Sequence, residues 1–283
     1  MRKKITQFIG FFILRGCMYL VLAVLLLFLY DIGKKGGGVI SWEFLTAAPR
    51  RGMTEGGIFP AFMGTFLVTM VTAVLAIPLG MFSAIYLNEY AKQTRLTRLI
   101  RLSIRNLSGV PSIVYGLFGV ILFVNILSFG TSILSAGLTL GLLTLPWTIT
   151  ASEEALKTVP NSYREGALAL GATKWQAIRT NVLPYAIPGM LTGTVLGLAR
   201  AAGETAPIMF TGAAFYLPYL PKSLGDQFMA LPYHLYIMAT QHHAITQVRP
   251  LAYGTALVLI ALVLGMNMVA VVIRYRLRRK RRG

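Results

Sequence analysis

Cysteine is all but missing from this chain. Cys17 stands alone among 283 residues, so no internal disulfide can form. Histidine is nearly as rare. His234, His242 and His243 have no cysteine or carboxylate beside them at ligand spacing, which argues against a metal site. A phosphate-cradling loop of the form Gly-x-x-x-x-Gly-Lys-Ser/Thr is absent. GKKGGG at 33–38 has neither that spacing nor a strand-to-helix setting, so the chain is not expected to hydrolyse ATP or to carry a cofactor of its own. Segments of alternating polarity about ten residues long, the mark of a closed barrel, do not occur. Nor does a strong internal repeat or an inverted pair of halves. No small-residue cleavage pattern follows the basic start Arg2-Lys3-Lys4 and its apolar run, so that run reads as an uncleaved span. Charged residues make up only 13% of the chain, too few to clothe a soluble domain of this length.

What fills the chain instead is apolar. Hydrophobic residues make up 55% of it and the mean hydropathy is +0.66. Several runs approach or exceed the roughly 18–20 residues that cross a bilayer as helix. The expected fold class is therefore an all-α membrane protein. Six transmembrane helices are predicted, at about 10–30, 61–87, 108–128, 131–150, 185–207 and 250–273, with a tight turn at Ser128-Phe129-Gly130. Charge sorts the loops. The N-terminal tail, the 88–107 and 151–184 loops and the C-terminal tail carry nineteen lysines and arginines; the opposite side carries six. That asymmetry puts both termini in the cytoplasm. The net charge of +18 is spread around the spans, so it points to membrane lipid, not nucleic acid, as the basic chain's partner. Three parts follow: 1–60, the first span and a long external loop; 61–273, a five-span core with a cytoplasmic loop at 151–184 and an external loop at 208–249; and a basic tail at 274–283. A short helix is predicted at 233–240. Asp226 and Lys222 nearby read as solvated charge or as a contact for a partner protein.

The 151–184 loop is too patterned to be a linker. Ser162-Tyr163-Arg164-Glu165 fits a capping box that opens a short helix to Leu170. Gly171 suits the left-handed residue that ends such a helix. Thr173-Lys174-Trp175-Gln176 is a second capping box, opening a helix to about Val182. A helix–glycine–helix element projecting into the cytoplasm, with Tyr163, Ala167 and Leu170 on one helix, suits insertion into a partner's groove. Capping alone also explains Glu165.

The fifth span closes with GLARAAGETAPI at 197–208, which holds two charges four residues apart, Arg200 and Glu204. On a continuous helix both share an arc of roughly 80° with Gly189, Gly193 and Gly197. Two readings fit. Small residues every four positions allow close helix packing, with the charges as interhelical glue. Alternatively the glycines leave room for a substrate path, and the arginine fork suits an oxyanion.

The residues Glu165-Gly166-Ala167, Gly171 and Leu183-Pro184 resemble the EAA loop of bacterial ABC importer permeases. Gly166 replaces the family's second alanine, and Asn181 stands where isoleucine is usual. EEALKTVPNSYREGALALGATKW, ARAAGETAP, GVPSIVYGLFG and AIPLGMFSAIYLNEY are more specific. They resemble the PstA-type permease subunits of phosphate-specific ABC transporters, from about residue 61 onward. The resemblance implies a type I importer permease fold in the bacterial inner (plasma) membrane. It implies inorganic phosphate import by alternating access, with a second related permease, two ATP-binding cassette subunits that hold ATP and Mg, and an external phosphate-binding protein. On this resemblance Glu165, Gly166, Ala167 and Gly171 couple to the ATPase, and Arg200, Glu204, Gly193 and Gly197 line the path. A permease for sulfate or molybdate, or a non-transporting scaffold or sensor subunit, are the alternatives.

Overall fold

The structure, a computed structural model, describes residues 2–279; the basic positions 280–282 of the predicted tail lie outside the described residues. The elements in chain order are α1 (Arg2–Gly36), α2 (Trp42–Thr46), β1 (Pro49–Arg50), β2 (Glu55–Gly56), α3 (Phe59–Ile85), α4 (Arg95–Leu107), α5 (Ser112–Gly119), α6 (Ile133–Lys157), α7 (Ser162–Ala169), α8 (Lys174–Ala177), α9 (Leu183–Ala201), α10 (Ala206–Thr211), α11 (Leu231–Thr240) and α12 (Ile245–Arg279). Single turns of π-helix extend α3 through Tyr86–Tyr90 and α5 through Val120–Ile126, and another joins α8 to α9 through Ile178–Val182.

Five helices, Gly10–Val39, Phe59–Tyr90, Ile133–Lys157, Lys174–Ala201 and Ile245–Arg276, are long and apolar enough to cross a bilayer. The predicted span at 108–128 is different. It is the apolar half of a bent pair, α4 with α5 and its π extension, whose axes turn by 102°. The bend falls where Pro111, with no N–H to donate, stands as the N-cap of α5. The turn at Ser128 and Gly130 is as predicted: both take left-handed φ, 56° and 64°.

The centre of the bundle is α3 against α6. Neither helix is uniformly apolar. Their threonines remove each buried hydroxyl by donating it to the carbonyl four residues back, as Thr65 does to Ala61 and Thr144 does to Leu140. Thr72 also donates across the interface to the Gly137 carbonyl at 3.2 Å. One apolar cluster at the end holding α7 joins Ala84, Ile85, Leu156, Ile178, Val182 and Met190. Another at the opposite end joins Val68, Ile133, Leu140, Ile208 and Phe228. At that end the 206–240 segment folds over the bundle. Ser132 N–H donates to Thr211 O and Ile133 N–H to Asp226 O. The predicted helix at 233–240 is α11, two residues longer at its start. The long loop after the first span contains α2 and the β1–β2 hairpin, in which Pro49 faces Gly56. The hairpin is tied down by His242, whose Nε2 lies 2.6 Å from Gly52 O. By contrast α1 stands apart: its residues 11–30 are exposed, and it meets the bundle near Gly36, where any side chain would collide with the Tyr253 backbone of α12.

Candidate translocation path and coupling element

The three glycines of α9 do share a face, and that face meets α6. A side chain at Gly189 would meet Ala155 Cβ at 2.9 Å, one at Gly193 would collide with Ala151 Cβ, and Gly197 lies over Trp147. Gly193 therefore uses its missing side chain for close helix packing. Glu204 departs from the wheel. The helix ends at Ala201, and tight turns follow, with Gly203 N–H donating to Arg200 O and Glu204 N–H to Ala201 O. The span expected to run unbroken to 207 is broken there because a continuous helix would need Pro207 to donate to the Gly203 carbonyl, and proline has no N–H. The chain restarts as α10, whose Pro207 packs on Gly116 of α5.

This break lies deep in the bundle. The antiparallel ladder Gly189–Ala155, Gly193–Ala151, Gly197–Trp147 brings the end of α9 to the middle of α6. Arg200 and Glu204 flank it. Arg200 Nε reaches Glu204 Oε1 at a long 3.4 Å, and the guanidinium lies 5.1 Å from the centre of the Trp147 ring. The arginine side chain is 50% exposed and the glutamate 16%. A charge facing lipid at this depth costs on the order of 2.5–3.5 kcal/mol. Irregular backbone at membrane depth is tolerated where protein covers it or a polar cavity lies beside it. The break, the ion pair and the ring thus lie together on one side of the bundle.

At the other end of α6 stands the candidate coupling element. α6 continues to Lys157, so the loop predicted from 151 begins at Thr158. The first capping box is not formed. Asn161 is the N-cap of α7, Ser162 is already helical, and Glu165 is exposed and makes no cap. The Asn161 carbonyl instead accepts from the Arg164 and Glu165 amides. The second box is formed, with Gln176 N–H on Thr173 Oγ1 at 3.3 Å and Thr173 N–H on Gln176 Oε1 at 2.8 Å. Gly171 has φ of +84°, as its place after α7 requires. The helix that starts at Lys174 is not separate from the next span: it runs through the π turn into α9, so α8 and α9 form one continuous helix from Lys174 to Ala201.

Of the apolar residues expected to face a partner, Tyr163 and Ala167 turn inward. Tyr163 sets its ring edge-on to Tyr185 at 4.4 Å, and Ala167 is buried. The outward apolar residues are Leu170, 91% exposed, and Leu168, with Glu165 and Gly166 beside them. What holds α7 is Arg164. Its Nη2 bonds Glu89 Oε1 at 2.6 Å and its Nε bonds Glu89 Oε2 at 3.0 Å, while Nη1 donates to Val159 O at 2.9 Å. Asn88 donates to the same carboxylate at 2.8 Å. A second pair lies alongside. Arg101 Nε stands 2.8 Å from Glu153 Oε1, an ion pair with no hydrogen bond along it, and Arg101 Nη2 donates to Leu87 O at 2.7 Å. Among the described residues no group of three or more His, Cys, Asp or Glu could hold a metal ion.

A permease-like bundle that carries a helix–glycine–helix element at one end has known counterparts. Residues 76–283 match the binding-protein-dependent transport system inner membrane components. The chain belongs to that family. Among its relatives is the probable ABC transporter permease protein YqgI of Bacillus subtilis, 32% identical over 283 residues and 95% of each chain. The phosphate transport system permease protein PstA 1 of Mycobacterium tuberculosis is 38% identical over 229 residues, 80% of this chain and 72% of that one. Among solved structures, a permease chain of a bacterial alginate importer aligns with TM-score 0.67 at 13% identity over 94% of this chain and 96% of its own. The inward-facing methionine transporter MetNI gives 0.59 at 19%, over 78% and 94%. The fold is thus that of ABC importer permeases, and the chain is a multi-pass membrane permease subunit.

Sequence reasoning missed the residues that fasten the coupling element of this permease. Glu89 and Glu153 lay inside the motif stretches and were given no role. One signal was available: with nine acidic residues in the chain, a carboxylate at the end of each of two apolar spans needs a partner. Trp147 gave no such signal, because its meeting with Arg200 depends on how α6 and α9 are registered.

Proposed function

We propose that this chain is the membrane permease of an ATP-driven importer of inorganic phosphate, working by alternating access beside a second, related permease. Two ATP-binding cassette subunits supply the hydrolysis, and an external phosphate-binding protein supplies the anion. The setting is the inner membrane of a bacterium, with both termini in the cytoplasm. The observation that carries this reading is the half-exposed arginine at the mid-bundle break, on a chain whose relatives include named phosphate permeases.

The chemistry follows from this grouping of Arg200, Glu204 and Trp147. Arg200 offers planar donors that match two oxygens of a tetrahedral oxyanion. Glu204 engages Nε and, at 3.4 Å, engages it weakly, which leaves both Nη groups to a passing anion. When the path is empty the carboxylate neutralises the guanidinium; when phosphate arrives, its repulsion shortens the stay. Trp147 holds the guanidinium plane by cation–π attraction. Gly197 leaves space beside it. Gly193 belongs to the packing that fixes this wall. On the cytoplasmic side Leu168 and Leu170 enter the ATPase groove with Glu165, Gly166 and the Gly171 turn, and Ala167 lets α7 lie close to its own protein. Closure of the ATPase pair pushes α7, and the continuous 174–201 rod carries the push to Arg200.

The test is ATP-dependent phosphate uptake by assembled transporters carrying Arg200→Gln or Glu204→Gln. Loss of uptake in the first with intact assembly is the expected result. Near-normal uptake in both variants defeats the path assignment.

A further inference from the structure

The helix α4 has three distinct faces. Its sequence is RLTRLIRLSIRNL, and it contains no acidic residue. One face meets the protein: Thr97 is buried and donates to Lys92 O at 2.7 Å, Ile104 packs on the cluster below α7, and Arg101 pairs with Glu153. A second face exposes Leu96, Leu99, Ile100 and Leu107. These fall within about 100° of one another at 100° per residue. The third face, opposite these four, carries Arg98 and Arg105, with Arg95 at the start of the helix and one further exposed leucine, Leu102, between Arg95 and Arg98 on the helical wheel. None of these three arginines has an acidic partner among the described residues.

The axis of α4 turns by 102° from that of α5. With α5 running along the membrane normal, α4 lies close to the membrane plane, at the end of the bundle that carries the coupling element. We infer that α4 is an in-plane anchor seated on anionic phospholipid of that leaflet. Its leucines enter the acyl boundary, Arg95 at the edge of that face reaches the headgroups, and Arg98 and Arg105 on the far side add positive charge within about a Debye length of them. Charge decides for this occupant: three uncompensated guanidiniums beside four exposed apolar side chains are the pattern of a basic interfacial helix. A protein partner would have to supply both an apolar groove and a row of carboxylates.

The seat has a mechanical consequence. Arg101 ties α4 to Glu153 at the end of α6 and to the Leu87 carbonyl at the end of α3. Both ends adjoin the Glu89–Arg164 pair that holds α7. Anionic lipid under α4 therefore steadies the frame against which the coupling helix works. This inference rests on the permease fold and is independent of the substrate.

The experiment uses the assembled transporter with Cys17→Ser and Leu99→Cys, labelled at position 99 with an environment-sensitive fluorophore. Leu96→Cys serves as a second site should the first disturb assembly. Quenching is measured with brominated phosphatidylglycerol and with brominated phosphatidylcholine. The expected result is quenching by both, with phosphatidylglycerol preferred. That preference falls by about fivefold for each arginine removed in Arg98→Gln and Arg105→Gln, the factor that about 1 kcal/mol per basic residue implies. Absence of quenching by either lipid at both sites places a protein subunit on this face and overturns the proposal. Equal quenching by the two lipids, unchanged in the arginine variants, overturns it as well.

Discussion

Replacing Arg164 with glutamine should uncouple the transporter more severely than replacing its partner Glu89. The two residues share three hydrogen bonds, yet their situations differ. The Glu89 side chain is 5% exposed and that of Arg164 is 19% exposed. With Arg164→Gln the carboxylate keeps Asn88 as its donor and the more distant Lys174 charge but loses its paired guanidinium, and the Val159 and Leu156 carbonyls lose their donor too. Leaving a buried charge uncompensated costs about 3–5 kcal/mol. At 1.4 kcal/mol per tenfold, that is on the order of two to three powers of ten in the docked population of α7. With Glu89→Gln the guanidinium retains both carbonyls and some solvent, so the cost is that of a charged hydrogen bond, about 1.5–3 kcal/mol. The double variant should cost less than the sum, because no buried charge remains. The assay is a cysteine cross-link from position 170 to the ATP-binding subunit, in a Cys17→Ser background, together with ATP turned over per anion moved. Equal effects of the two single variants, or strict additivity in the double, would refute the reasoning.

Three further outcomes follow from named contacts. Gly193→Leu should separate α9 from α6, since even a Cβ there collides with Ala151; Ala151→Gly should partly restore thermal stability in detergent. Gly171→Ala should destabilise the α7–α8 turn by about 1–2 kcal/mol, because φ is +84° there, and limited proteolysis of the loop reads this directly. His234 is fully buried, and desolvation, with the nearby His242 charge second, pushes its pKa down to about 4. The folded state therefore resists a proton that the unfolded state accepts. The His234 contribution to stability is constant above about pH 6.5, falls as pH drops from 6.5 to 4, and levels below that, a loss of about 3 kcal/mol over the window. His234→Phe should flatten the pH profile of thermal unfolding, since Nδ1 has no hydrogen-bond partner to lose.

Much of this molecule could be read from the chain. Long apolar runs place five of the spans, and the Gly171 and Thr173–Gln176 signals are local chemistry that tertiary packing leaves alone. The break at 202–205 was also legible, because Gly203 and Pro207 cannot both sit in one helix ladder, yet the apolar composition around them suggested continuity. Ser162 misled for a different reason. Its capping pattern is genuine, but Asn161 one residue earlier begins the helix and leaves Glu165 to solvent. The shared face of Gly189, Gly193 and Gly197 follows from 3.6-residue periodicity, although Glu204, beyond the end of α9, does not belong to it. Where that face packs does not follow, because periodicity says which residues share a side and nothing about the neighbour. Ala151, Ala155 and Trp147 settle that through the register of two antiparallel helices. The Arg164–Glu89 link joins residues 75 positions apart, beyond any local pattern.

Labelled phosphate uptake into vesicles holding the complete transporter, with and without ATP and in the presence of sulfate or molybdate, tests the central claim most directly. The account expects uptake that requires ATP and the ATP-binding subunits, is indifferent to the other two oxyanions, and collapses in Arg200→Gln. Uptake that persists without the ATP-binding subunits, or that sulfate or molybdate suppresses as well as unlabelled phosphate does, would contradict it.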